Sequence, residues 1–392
     1  MNALEGMRVV DLSHVIAGPT CGYYLAHYGA DVIKVEEPAH GDVLRAGTKG
    51  RVDEGVTVGF ATVNAGKRSV VADLKDPEGV RAVLALAAGA DVFIENFRPG
   101  VVERLGLGYE ALRAVNPSIV YLSISAYGQE GEWAPRGAYD HVVQAFTGMM
   151  SLQGEAHDPP IKVGFPVIDS AAGMSAAQAV LAALLRRART GEGARLDVSM
   201  TQAAVQLMLS PAVQVAFDGR DRPRPGNRGF TGSPGAATFR CAQGWIATSA
   251  NTPAQFTALC GVLGLQDLLG DDTLIDVAAL SSGAGFVITR DDAAVRARVE
   301  AAFARADAAD LEARLNAVGV AAARVRTLHE FVSEYAQGDM ATHTVTRVAY
   351  PLGSLLDFGH GAKVDRTAPE APAPAPRLGA DTDVLLRGPA SR

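Results

Sequence analysis

Strand, helix and strand recur along the first 125 residues, and this alternation constrains the fold more than any other feature of the chain. "MRVVDL" (7–12) reads as a buried strand, "TCGYYLAHYG" (20–29) as a helix closed by glycine, and "DVIKVE" (31–36) as a second strand. Two strands joined by a helix within so few residues pair in parallel. The pattern repeats with "SVVADL" (69–74), a helix over 76–89 begun by Asp76 and Pro77, then "DVFIE" (91–95), "YEALRAV" (109–115) and "IVYLSIS" (119–125). Asp at the N-cap with Pro at the first helical position is a strong helix start. The reading is a doubly wound α/β layer, whose ligands bind at the carboxyl ends of the strands.

Beyond residue 160 a long helix is expected over 170–189, a strand over 194–200 and a helix over 201–217. Composition then changes: 218–235 is rich in Gly, Pro and Arg and reads as a linker or active-site loop. Residues 236–327 carry a smaller α+β pattern, with strands at 236–241, 245–249 and 321–327 around helices near 252–263, 291–305 and 309–318. The boundaries are therefore 1–217 for the large domain, 218–235 for the linker, 236–327 for the small domain and 328–392 for a return segment. With 392 residues, 48% apolar and 20% charged, the chain can fill two cores. A net charge of −7 disfavours nucleic acid and anionic membrane as partners. Apolar runs such as "SAAGMSAAQAVLAALL" read as too short and too polar to span a bilayer. The opening residues, with Glu5 and Asp11, do not read as a signal peptide, and three dispersed cysteines fit a cytoplasmic protein.

Four common chemistries fail on spacing. The first strand–helix turn, "SHVIAGPTCGYY", is not G-x-G-x-x-G, although Glu36 and Glu37 close the second strand. "NAGKRS" lacks the first Gly and the Ser or Thr of a P-loop, and "GMSAA" is no nucleophile elbow. Eight histidines lie without metal spacing, so no metal site is expected. Cations remain at loop ends: Lys67, Arg68, Lys75, Arg98, Arg104 and Arg136 are either partners for a phosphate-bearing ligand or solvated surface charge. Asp169, alone in the apolar run "KVGFPVIDSAAGM", is either a helix cap or a reacting carboxylate.

Several long stretches together resemble the class III CoA-transferase family, also called CaiB/BaiF or formyl-CoA transferase-like. They are "MRVVDLSHVIAGPTCGYYLAHYGADVIKVEEPAHGD", "NAGKRSVVADLKDPEG", "ADVFIENFRPGVVERLGLGYEAL", "SISAYGQEG", "AYDHVVQAFTGMMSLQGE", "DSAAGMSAAQAVLAAL" and "APRLGADTDVLL". The resemblance implies a Rossmann-like large domain built from both ends of the chain, a smaller α+β domain between them, and an interlocked homodimer. It implies coenzyme A and acyl-CoA as substrates, with no permanently bound cofactor, and a small carboxylic acid as acceptor, a dicarboxylate being a reasonable guess. Asp169 matches the family's nucleophile, which forms an acyl anhydride and then an aspartyl-CoA thioester. A helix N-terminus there would favour the ionised carboxylate and offer free amides to the oxyanion. The CoA site implied comprises Ala72, Asp73, Leu74, Lys75, Asn96, Phe97, Arg98, Arg104, Arg136 and Tyr139, with the backbone of Val15, Ile16 and Ala17 near the thioester.

The chain departs from the formyl-CoA transferase branch at Ile16, where that branch carries glutamine, and at Glu37, where it carries a basic residue. "GFTGSPGAA" (229–237) is the candidate for its glycine-rich flap. An α-methylacyl-CoA racemase is the rival within the family, but its catalytic histidine falls on Tyr139, and His141 stands two residues away. A catalytically silent CoA-binding protein on the same fold is the other alternative.

Overall fold

The computed structural model describes residues 2–46, 50–337, 345–363 and 370–386. Part of the return segment, including 338–344, 364–369 and 387–392, lies outside the described residues.

Six strands form one wholly parallel sheet: β1 (Arg8–Asp11), β2 (Asp31–Glu36), β3 (Arg68–Val71), β4 (Val92–Glu95), β5 (Val120–Ser125) and β6 (Ala194–Ser199). Their spatial order is β3-β2-β1-β4-β5-β6. The chain thus builds outward from β1 to β3, then returns to β1's other side to lay down β4. Where the winding reverses, the loops after β1 and β4 diverge and open a crevice at their carboxyl ends. Helices cover both faces, so β4 and β5 are buried throughout, as their Val, Ile and Phe content requires.

The first helix, Ala17–His27, begins three residues before the expected start. The helix Pro77–Ala88 follows its sequence signals, with the Asp76 side chain accepting from the Glu78 amide. The expected helix over 201–217 is two, Met200–Leu207 and Leu209–Asp218. Pro211 explains the break, because its ring collides with the carbonyl of Leu207 in a continuous helix. A hairpin, Thr346–Tyr350 with Gly353–Asp357, was not legible in the sequence. Its Asp357 accepts a hydrogen bond from the Tyr23 hydroxyl at 2.9 Å and ties the return segment to the first helix.

The long helix is Val167–Thr190, 24 residues. It is long and apolar enough to cross a membrane by length and composition, contrary to the sequence reading. Its apolar face is used inside the fold: a Cβ on Gly173 would lie 2.6 Å from Thr20 Cβ and 2.7 Å from the Ala17 carbonyl oxygen. Only glycine lets the two helices approach so closely.

The chain divides into two compact units, one of residues 1–150, 162–220 and 336–392, the other of 151–161 and 221–335. The second unit has a three-stranded antiparallel sheet of Gly235–Arg240, Trp245–Ala250 and Ala322–Arg324. Its core includes Phe239 stacked on Phe303 at 4.2 Å. The stretch 229–237 runs from turns into the first of these strands.

Candidate active site

The loop after β1 is specified residue by residue by side chains from elsewhere. The Ser13 amide donates to Asp11 Oδ1 at 2.9 Å and the His14 amide to Asn96 Oδ1 at 2.9 Å. Asn96 Nδ2 donates back to the His14 carbonyl at 2.8 Å. The Val15 amide donates to both carboxylate oxygens of Asp42, at 3.3 and 3.2 Å. Val15 has φ +68°, the one positive φ at a non-glycine residue among the described residues. For a β-branched side chain this region is strained, on the order of 1–3 kcal/mol. The turn starts the first helix with no side-chain cap at Ile16. Among the described residues the amides of Ile16, Ala17 and Gly18 have no acceptor, and Pro19 has no amide to offer. An uncapped helix start is positive and ready for an anion.

Asp169 is the third residue of the long helix, inside its first turn rather than before it. The cap is supplied by Asp140, whose Oδ2 accepts from the amides of Ile168 at 2.7 Å and Asp169 at 3.1 Å. The Val167 and Ser170 amides go to the carbonyls of Phe165 and Pro166. The expectation of free amides in this turn is therefore corrected: they are all taken, and the free ones belong to the first helix. The expectation that the helix dipole favours ionisation is also reversed. Burial, with the Asp140 charge second, pushes the Asp169 carboxyl up to about 7. Loss of hydration outweighs half a charge of helix dipole at this depth. Among the described residues the Asp169 carboxylate receives no hydrogen bond.

Asp169 opens into a cavity of about 400 Å³ at the crevice between β1 and β4. Val15, Ile16, Ala17, Asn96, Phe97, Arg98, Arg136 and Tyr139 line it, as do His14 and Met200, which sequence reasoning missed. Ala72, Asp73, Leu74 and Lys75 line a neighbouring cleft of about 630 Å³, which shares His14, Phe97 and Val101 with the first. Arg104 is exposed and lines neither. The Arg98 guanidinium lies against Gly137, where a Cβ would come within 2.7 Å of it. Arg136 stacks on the Trp133 ring at 3.5 Å. His141 is exposed and faces neither space.

Two of the loop-end cations are structural. Lys67 is fully buried, 2.9 Å from Asp11 Oδ2, and donates to the Pro19 carbonyl at 2.8 Å. Arg68 pairs with Asp381 and Asp31 at the edge of the sheet. A second buried pair, Lys34 and Asp42 at 3.0 Å, was missed because the two residues read as unrelated in sequence. Lys34 also donates to the Ser13 carbonyl at 2.6 Å. Such pairs hold geometry more than they add net stability.

The chain matches the profile of CoA-transferase family III over residues 4–382. It is 38% identical over 274 residues to a succinate–glutarate CoA-transferase of Agrobacterium fabrum, covering 69% of this chain and 68% of that one. It is 38% identical over 280 residues to an acyl-CoA transferase of Fusarium pseudograminearum, covering 70% and 61%. The match thus spans between three fifths and about two thirds of the length of these two curated relatives. A crystal structure of a CAIB/BAIF family protein from Brucella suis superposes with a TM-score of 0.83 at 29% identity, covering 97% of this chain and 98% of that one. Fold, crevice and sequence agree, and the chain belongs to CoA-transferase family III.

Proposed function

We propose that this chain transfers coenzyme A from an acyl-CoA to a free carboxylic acid, with Asp169 as the nucleophile. One observation carries the reading: a half-buried carboxylate with no hydrogen-bond donor among the described residues shares a cavity with a helix start whose amides have no acceptor among them. The ionised Asp169 attacks the thioester carbonyl, the C–S bond breaks, and CoA thiolate leaves behind a mixed anhydride. The thiolate attacks the aspartyl carbonyl and expels the donor carboxylate, leaving an aspartyl-CoA thioester. The acceptor carboxylate attacks the aspartyl thioester and expels CoA thiolate, giving a second anhydride. The thiolate attacks the acceptor's acyl carbonyl, the anhydride C–O bond breaks, and the new acyl-CoA leaves with Asp169 returned as a carboxylate. Each addition creates an oxyanion, for which the amides of Ile16 and Ala17 are the available donors. They replace the side-chain amide that Ile16 lacks.

The neighbouring cleft at Ala72, Asp73, Leu74 and Lys75 is assigned to the nucleotide end of CoA, with Phe97 as the shared wall. Arg98 and Arg136 offer a carboxylate-bearing acyl chain its counter-charge. Curated relatives are named for succinyl-CoA with glutarate or mesaconate, which brings short dicarboxylates forward as donor and acceptor. An interlocked homodimer belongs to the same proposal. The helix Leu209–Asp218 buries none of its residues within the chain, and Val213 and Phe217 stand 58% and 92% exposed, an apolar face suited to a second copy. Three free, buried cysteines accord with a cytoplasmic location.

The test is CoA exchange from succinyl-CoA to glutarate, with hydroxylamine present to trap activated carboxyls. Hydroxamate at Asp169 with exchange, both lost in Asp169→Ala, is the expected result. Exchange that persists in Asp169→Ala overturns the covalent reading.

A further inference from the structure

We infer that Asp42 is the positioning residue that holds the turn at Val15 and so fixes the amides of Ile16 and Ala17, which have no acceptor among the described residues, in the cavity onto which Asp169 opens. The inference rests on the reading of Asp169 as nucleophile. Without restraint, a valine at φ +68° relaxes to negative φ, and the peptide that follows it rotates away. Among the described residues, the restraint on its amide is the Asp42 carboxylate alone, which meets it with both oxygens.

Asp42 is itself immobilised. Lys34 Nζ stands 3.0 Å from its Oδ2, the Leu44 amide donates to its Oδ1 at 3.0 Å, and its own amide donates to Glu36 Oε2 at 3.0 Å. Lys34 and Asp42 are 0% and 4% exposed. Because Lys34 also takes the Ser13 carbonyl, the pair grips the loop on both sides of His14. Stability alone does not call for this arrangement. A buried ion pair rarely improves on apolar packing, and glycine would adopt the turn without strain. A strained residue and a desolvated pair kept together beside reacting groups indicate a backbone set for function. Asp42 also borders the neighbouring cleft, so direct binding of CoA is the competing role.

The experiment compares the full-length wild-type chain with Lys34→Met/Asp42→Asn, which removes both charges together, using succinyl-CoA as donor and hydroxylamine trapping at Asp169. Trapping and kcat are expected to fall about tenfold to hundredfold, the loss typical of a misplaced site, with KM for succinyl-CoA nearly unchanged. Adding Val15→Gly is expected to restore most of the lost rate, since glycine takes the turn unaided. Should the double variant melt early, Asp42→Asn alone, with and without Val15→Gly, makes the same comparison. A rate equal to wild type, a loss expressed in KM, or a loss that Val15→Gly does not restore in a well-folded variant overturns the inference. Wild-type protein that traps no hydroxamate overturns the nucleophile reading instead.

Discussion

Asp140 holds the backbone amide of Asp169 at 3.1 Å while its charge opposes ionisation of the Asp169 side chain. One carboxylate caps the helix and leaves the other with no hydrogen-bond donor among the described residues. The division of labour follows from position: Asp140 is buried at the start of its own helix, where its second oxygen takes the Gln144 side-chain amide at 2.5 Å.

In the proposed mechanism the ionised carboxylate attacks, and burial of Asp169 holds its proton up to about 7. The rate of hydroxamate formation is therefore expected to rise about tenfold per pH unit below 7 and level off above it. A pH profile of single-turnover trapping measures this. A flat profile from pH 5 to 8 contradicts the assignment.

Replacing Asp169 by Asn separates function from stability. An acid that holds its proton more tightly when folded disfavours folding increasingly as pH rises, here from about 4, the unfolded value, to about 7. Asp169→Asn is expected to lose exchange and to melt higher than wild type at pH 8. The gain should shrink at pH 5. Thermal melts at the two pH values decide it.

Asp140→Asn keeps an acceptor for the helix amides and removes the charge beside Asp169. The acid limb of the trapping profile is expected to move to lower pH, while burial keeps it above the ordinary aspartate range. Asp140→Ala leaves two amides without their acceptor and should cost at least about 1 kcal/mol in urea unfolding.

Gly173 sets the distance between the long helix and the first helix. A methyl group there meets Thr20 Cβ and the Ala17 carbonyl at distances that force the helices apart. Gly173→Ala is expected to lose about 1–3 kcal/mol of stability. Trapping should slow as well, because the same displacement moves Asp169 from the Ala17 amide. Urea unfolding and trapping rate, measured on one preparation, report both effects.

Much of the framework was written in local sequence. β2 lies at 31–36, where the sequence reading placed it, and the helix 109–115 was bounded correctly. Asp76, Pro77 and Gly89 mark a helix because capping and proline geometry are properties of adjacent residues. The long ordered stretches also carried the family and, with it, eight of the residues that line the cavity at Asp169, while Ala72, Asp73, Leu74 and Lys75 fell in the neighbouring cleft and Arg104 in neither.

What sequence alone determined were these near-neighbour relations and the family. Tertiary structure decided the rest, because the deciding interactions join residues far apart in the chain. Asp42 reaches Val15 across 27 residues, and Lys67 reaches Asp11 across 56. Neither pairing leaves a periodic trace, so Lys67 read as either a phosphate partner or a solvated surface charge until its burial was known. The chemical character of Asp169 was decided the same way. Its place near a helix start argued for an ionised group, but protonation depends on how much water the fold removes and which charges it brings near. Those quantities exist only once the chain has closed around the site.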